Sequence, residues 1–201
     1  MSSRFVLCVL VVSVALAVAP NFAVLAQSSA SKKAAASAID NDFVKKQFGG
    51  EFTLVTSSEP LIADFDGDGV EDVAIVARGK NVMMDQTEHN FRVLDPYDDF
   101  FGVGDPKITS QFGSEDPDRR GMVLLIIHGA GADAWRSDTP KAKFVIINFP
   151  FRQLAIKHIQ IKRKRVVNAV FAEETGSDQM TSAIFFDGKK YKYQPMGSSL
   201  Q

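Results

Sequence analysis

Hydrophobic positions along this 201-residue chain fall into three regimes. Residues 5–19 are almost wholly apolar, with Arg4 in front and Pro20-Asn21 breaking the run. Farther on, Ile39, Phe43, Val44 and Phe48 recur at helical intervals until Gly49-Gly50, which predicts one short amphipathic helix. Ser37 followed by Asp40 has the spacing of a capping box in front of it. Beyond residue 50 the period shortens. Segments 52–56, 72–77, 91–94, 122–128, 144–149, 154–161, 166–172, 182–186 and 191–193 read as strands. They are rich in β-branched and aromatic residues, and Gly, Pro or charged clusters bound most of them. Lys162-Arg163-Lys164-Arg165 reads as a hairpin tip and Asp187-Gly188 as a tight turn. Roughly eight or nine short strands, without a second long helical period, predict a mainly β fold. The expected form is an antiparallel sheet or meander, propeller-blade-like or a sandwich, with one short N-terminal helix. Residues 154–194 are expected to form a local meander.

The first regime has the positive start and apolar core of a secretory signal peptide, and Val24-Leu25-Ala26 offers a cleavage segment. The expected organisation is a signal peptide over 1–26, a flexible Ser/Ala/Lys spacer over 27–36, and a single mainly β domain over 37–201. An uncleaved membrane anchor is the alternative, since residues 5–26 could nearly span a bilayer. The only cysteine, Cys8, leaves with the signal and has no lipobox before it. An exported chain without cysteines points to a bacterial protein, periplasmic or extracellular, rather than to a disulfide-rich module. A domain of this length buries about 70% of its unfolded surface and needs no staple. Arg4 is one of the 23 Lys and Arg residues, so 22 remain after cleavage against 24 Asp and Glu. That balance argues against a nucleic-acid or membrane-surface partner.

The densest chemistry lies in Asp64-Phe65-Asp66-Gly67-Asp68-Gly69-Val70-Glu71-Asp72. Asp64, Asp66 and Asp68 alternate, so their carboxylates can converge on one point, where they would repel strongly without a cation. Hard oxygen ligands at this spacing suit Ca²⁺, which takes six to eight oxygens in a flexible shell. The backbone carbonyl of Val70 would supply the seventh position, and Asp72 would close the site. An EF-hand needs a glutamate at the twelfth position and flanking helices; here that position is Ile75 and the flank is a strand.

A nine-residue aspartate loop running straight into a strand resembles the calcium loop of FG-GAP/VCBS-type repeats, the blades of integrin-like β-propellers. The resemblance covers residues 60–79 and the motif occurs once. It implies a structural calcium ion and a binding or scaffold module with a protein or glycan partner.

Other signals are weaker. The apolar strand ending in His128-Gly129-Ala130-Gly131-Ala132 resembles the oxyanion turn of α/β-hydrolases, which makes a small secreted hydrolase the rival reading. No Gly-x-Ser-x-Gly elbow accompanies it, so no catalytic residue is assigned. An envelope structural protein held by its uncleaved N-terminus is the third possibility. His89, His128 and His158 lack metal spacing and read as surface or strand-end residues. Trp135 is expected to cover a core end. The irregular stretch 95–121 is rich in aspartate and reads as a solvated acidic loop, with Tyr97, Phe100 and Phe101 packing part of it down.

Overall fold

The computed structural model describes residues 38–102, 119–161, 165–175 and 180–198. The predicted signal peptide, the spacer, Ser37 and the basic tip residues Lys162, Arg163 and Lys164 lie outside them. Among the described residues, no helix is long and apolar enough to cross a membrane.

The fold is mainly β, in two sheets. Helix α1 (Asn41–Phe48) is capped by Asp40, whose carboxylate accepts the Phe43 N–H at 2.8 Å. The cap is therefore the second residue of the expected box. The strands are β1 (Phe52–Leu54), β2 (Leu61–Ala63), β3 (Asp72–Gly79), β4 (Arg92–Leu94), β5 (Met122–His128) and β6 (Ala142–Ile146), then β7 (Phe151–Gln160), β8 (Val166–Glu174), β9 (Met180–Phe186) and β10 (Tyr191–Ser198). Two short helices that the pattern does not announce, α2 (Gln86–His89) and α3 (Pro96–Phe101), lie before and after β4. A 3-10 segment, Gly131–Arg136, follows β5.

The first sheet runs β1-β3-β5-β6-β4, with β2 also paired to β3. Its pairs are antiparallel except β4 with β6. The second sheet, β10-β9-β8-β7, is the expected meander, fully antiparallel.

Alternation along the central strands explains how the layers stack. Val73, Ile75, Val123, Leu125, Ile127 and Val145 face a core shared with α1 and Trp135. The intervening Ala74, Val76, Leu124, Ile126, Phe144 and Ile146 face the second core, closed by Val170, Ala172, Ile184 and Tyr191 of the second sheet. With both faces covered, β3 and β5 are apolar at nearly every position, which is why they read as continuous runs. Strands β7 and β10 are wetter, and β10 alternates over its first residues, with Tyr191 and Tyr193 turned inward.

Candidate metal centre

Strands β2 and β3 pair antiparallel and their last partners are Ala63 and Asp72. Residues 64–71 are thus the loop of a β-hairpin, and the aspartates wind it. The Asp64 carboxylate accepts the N–H groups of Gly67 (2.6 Å), Asp68 (3.1 Å) and Gly69 (2.8 Å). Asp66 accepts from Asp68 at 3.1 Å, and Asp68 from Val70 at 2.8 Å. Such side-chain turns are the local chemistry for which aspartate is favoured. Gly67 and Gly69, at φ 81° and 87°, adopt the left-handed conformation that the winding requires.

Three contacts hold the loop to the body. Phe65, almost fully buried, anchors it in the core between the sheets. Asn168 of β8 donates to the Asp64 carbonyl at 2.7 Å. Asp72 is the pin: one oxygen accepts from Phe65 (2.7 Å) and Asp66 (3.3 Å), the other from Gly129 (2.8 Å) beyond the end of β5. The residue is 1% exposed, and burial pushes its carboxyl up to about 7 against the opposing pull of those N–H donors.

Asp64, Asp66 and Asp72 each offer an oxygen, and these oxygens lie within 4.8 Å of one another. All three are hard carboxylate donors, two with side chains almost out of water, so the set fits a hard cation such as Ca²⁺. Asp68 does not join them. Its carboxylate meets the Lys141 ammonium at 2.6 Å, and the same ammonium lies 2.7 Å from Asp66. The lysine bond holds Asp68 below the usual carboxylate range, and the two aspartates hold Lys141 above the usual range for an ammonium. Val70 spends its N–H on Asp68 and packs its side chain on the α1-side core.

Behind Asp66 stands His128, the last residue of β5. Its Nδ1 is 3.4 Å from the Asp66 carboxylate and its Nε2 is 2.8 Å from the Tyr191 hydroxyl. Burial pulls the imidazole down to about 4 and raises the Tyr191 phenol well above its ordinary value. Near neutral pH both are uncharged, and one tautomer serves both neighbours. Nδ1 carries the proton facing Asp66, while Nε2 accepts the Tyr191 O–H.

The hydrolase-like turn takes another part here. The Gly129 N–H, which an oxyanion would need, is bound to Asp72. Gly129 is also the residue that closest approach demands, since a Cβ there would overlap the Glu71 carbonyl oxygen and lie 2.7 Å from the Ala134 carbonyl carbon. Trp135 is fully buried, with the Arg136 guanidinium stacked 4.1 Å from its ring centre. His158 is exposed on β7 and His89 ends α2.

Sequence reasoning thus finds the loop and misses what surrounds it. Lys141, His128, Tyr191 and Asn168 come from four other strands or their ends, and no spacing links them to residue 64. Only the strand-end His-Gly pair is visible in sequence, and it points to a different chemistry. No protein-family model, curated protein or solved structure matches this chain.

Proposed function

We propose that this chain is an exported calcium-binding β domain of FG-GAP/VCBS-like loop type, serving as a non-catalytic binding or scaffold module. The observation that carries the reading is the convergence of Asp64, Asp66 and Asp72 on one point, with Asp72 buried and fixed by three backbone N–H groups. Ca²⁺ there would be held by Asp64, Asp66 and Asp72. Asp68 and the Val70 carbonyl would complete the shell once Lys141 withdraws. The ion would neutralise the loop and tie the β2–β3 hairpin to the end of β5, a structural role. A protein or glycan partner fits this class better than nucleic acid or a membrane surface, given the near-balanced charge.

Calorimetric titration with CaCl₂ at pH 7.5 tests the reading. One site with a dissociation constant of about 10⁻⁴–10⁻³ M is expected, as in extracellular calcium modules, with Mg²⁺ much weaker because it demands a tighter octahedral shell. Absence of binding heat together with an unchanged melt would remove it. Mass spectrometry of the exported protein reads the N-terminus. Cleavage after Ala26 supports export as a free domain, and retention of Met1 or Ser2 supports an envelope anchor. A fluorophosphonate probe should label no serine.

A further inference from the structure

Lys141 and His128 both face the Asp66 carboxylate, and they differ in what holds them. Lys141, just ahead of β6, reaches Oδ2 at 2.7 Å from a side chain that is 49% exposed. His128 turns Nδ1 to the same oxygen at 3.4 Å, and its side chain is 1% exposed. The other oxygen, Oδ1, accepts the Asp68 N–H at 3.1 Å. An ammonium on a flexible, half-exposed stem can swing into water when a cation arrives. A buried ring cannot follow it.

The ring is held from three strands. Phe144 of β6 and Phe186 of β9 pack against it, with ring centres 5.0 and 4.8 Å away. Tyr191, the first residue of β10 and 1% exposed, donates its O–H to Nε2 at 2.8 Å. Acceptance at Nε2 places the imidazole proton on Nδ1, the nitrogen turned to Asp66. Turning the ring would strand the buried Tyr191 hydroxyl without a partner.

We propose that His128, braced by Tyr191, is a positioning residue for the ion. It keeps the Asp66 carboxylate turned toward the point shared with Asp64 and Asp72 when Lys141 withdraws. The inference rests on the calcium reading of residues 64–72. A carboxylate already held from behind has less freedom to lose on taking up a metal, so the outer partners of a metal's ligands help to set its affinity. His128 faces the ion's ligand rather than the ion, and Tyr191 acts one bond farther back. Through this pair the second sheet supports a site formed by a hairpin of the first.

Calcium titrations followed by the Gly67 and Gly69 amide signals, with a melt of each variant in EDTA, test the proposal. His128→Leu keeps an apolar side chain against the aromatic rings but removes the Nδ1 donor, and should weaken calcium about tenfold or more. His128→Asn loses more packing and should melt lower, yet its side-chain amide donates from the place of Nδ1. Its affinity should stay within about threefold of wild type. Tyr191→Phe keeps the ring and removes only the hydroxyl, and should weaken calcium about threefold. A histidine that only fills space predicts the opposite order for Leu and Asn, with affinity following stability. A proton–nitrogen correlation spectrum of calcium-free wild type should place the His128 proton on Nδ1, with Nε2 bare. Should either His128 variant fail to fold, Tyr191→Phe and that spectrum decide. Tighter binding by His128→Leu than by His128→Asn, equal affinity in Tyr191→Phe and wild type, or a proton on Nε2 would overturn the proposal while the wild type still binds calcium. Absence of calcium binding in the wild type would remove the site itself, and this inference with it.

Discussion

Two stretches of this chain are rich in aspartate, and the fold uses them in contrary ways. In residues 64–72 the backbone winds around its own carboxylates, and three of them arrive within 4.8 Å of one another. In residues 95–99 Asp95 and Asp99 are spent on different partners. Asp95 caps α3 by accepting the Asp98 N–H at 2.9 Å and also takes the Asn148 amide. Asp99 pairs with Lys190 at 2.9 Å and Lys192 at 3.3 Å. Tyr97, Phe100 and Phe101 pack against Tyr193 as expected, in a helix lying on the second sheet; residues 103–118 of the expected acidic loop lie outside the described residues. The difference lies in the backbone. The hairpin loop brings Asp64 and Asp66 together with Asp72, whereas at the Pro-started helix turn Asp95 is buried against Asn148 and Asp99 faces Lys190 and Lys192.

The comparison breaks most readily at Asp72. Removing its carboxylate strands the buried N–H groups of Phe65 and Gly129, so Asp72→Ala should cost roughly 2–5 kcal/mol in urea unfolding. Asp99→Ala removes exposed ion pairs and should cost less than about 1 kcal/mol. Equal losses would mean that the two stretches do not differ in kind.

A second pair of variants probes the supports. Gly129→Ala drives a methyl group into the Glu71 carbonyl and should cost roughly 1–3 kcal/mol, weakening calcium binding with it. Gly102→Ala, at φ 71° in open space after α3, should cost only about 1 kcal/mol from backbone strain. Denaturant midpoints with and without calcium separate the two.

Proton binding sharpens the contrast further. Burial raises Asp72 to about 7 and Asp95 to about 6, above the ordinary 3.8. A raised folded-state value means that the folded protein holds the proton more tightly. The stability this provides is complete below 3.8 and is lost as pH rises through 6 for Asp95 and through 7 for Asp72. Melting curves of wild type and Asp95→Asn should therefore diverge with pH mainly between about 4 and 6. Calcium needs Asp72 ionised, so the calcium-dependent gain should be larger at pH 8 than at pH 5.5, in wild type and Asp95→Asn alike.

The smallest effect expected is at Lys141. Its ammonium competes with any cation for Asp66 and Asp68, so Lys141→Met should tighten calcium binding roughly three- to tenfold in calorimetry. Lys190→Met, beside the other acidic stretch, should leave it unchanged.

Much of the fold was legible because its strands are defined by local pattern. β3 and β5 are continuous apolar runs, and the β7–β10 meander shows its turn at Asp187-Gly188, where the Asp187 carboxylate accepts two following N–H groups. Strand β2 was not legible, being three residues that gain strand form only by pairing with β3. Helix α3 could have been found, since Asp95-Pro96 is a cap followed by a proline in the first turn. In the site, the aspartates declare themselves by spacing. The departure of Asp68 toward Lys141 does not, because residues 73 apart meet only through the register of β3, β5 and β6. His128 and Gly129 suggested an oxyanion turn because a strand-end His-Gly pair looks the same whether its amide faces a substrate or a buried carboxylate.

Thermal melting of wild type, Asp66→Ala and Glu71→Ala, each in EDTA and in about 2 mM free Ca²⁺, bears most directly on the claim that residues 64–72 are a calcium site. An affinity of 10⁻⁴–10⁻³ M corresponds to about 0.6–1.8 kcal/mol of added stability. For a domain of this size that is a rise of roughly 2–7 °C in wild type. Asp66→Ala should lose most of the rise, and Glu71→Ala, whose side chain is not a proposed ligand, should keep it. A rise that survives Asp66→Ala, or a wild-type melt identical in both buffers with no heat of calcium binding, would contradict the account.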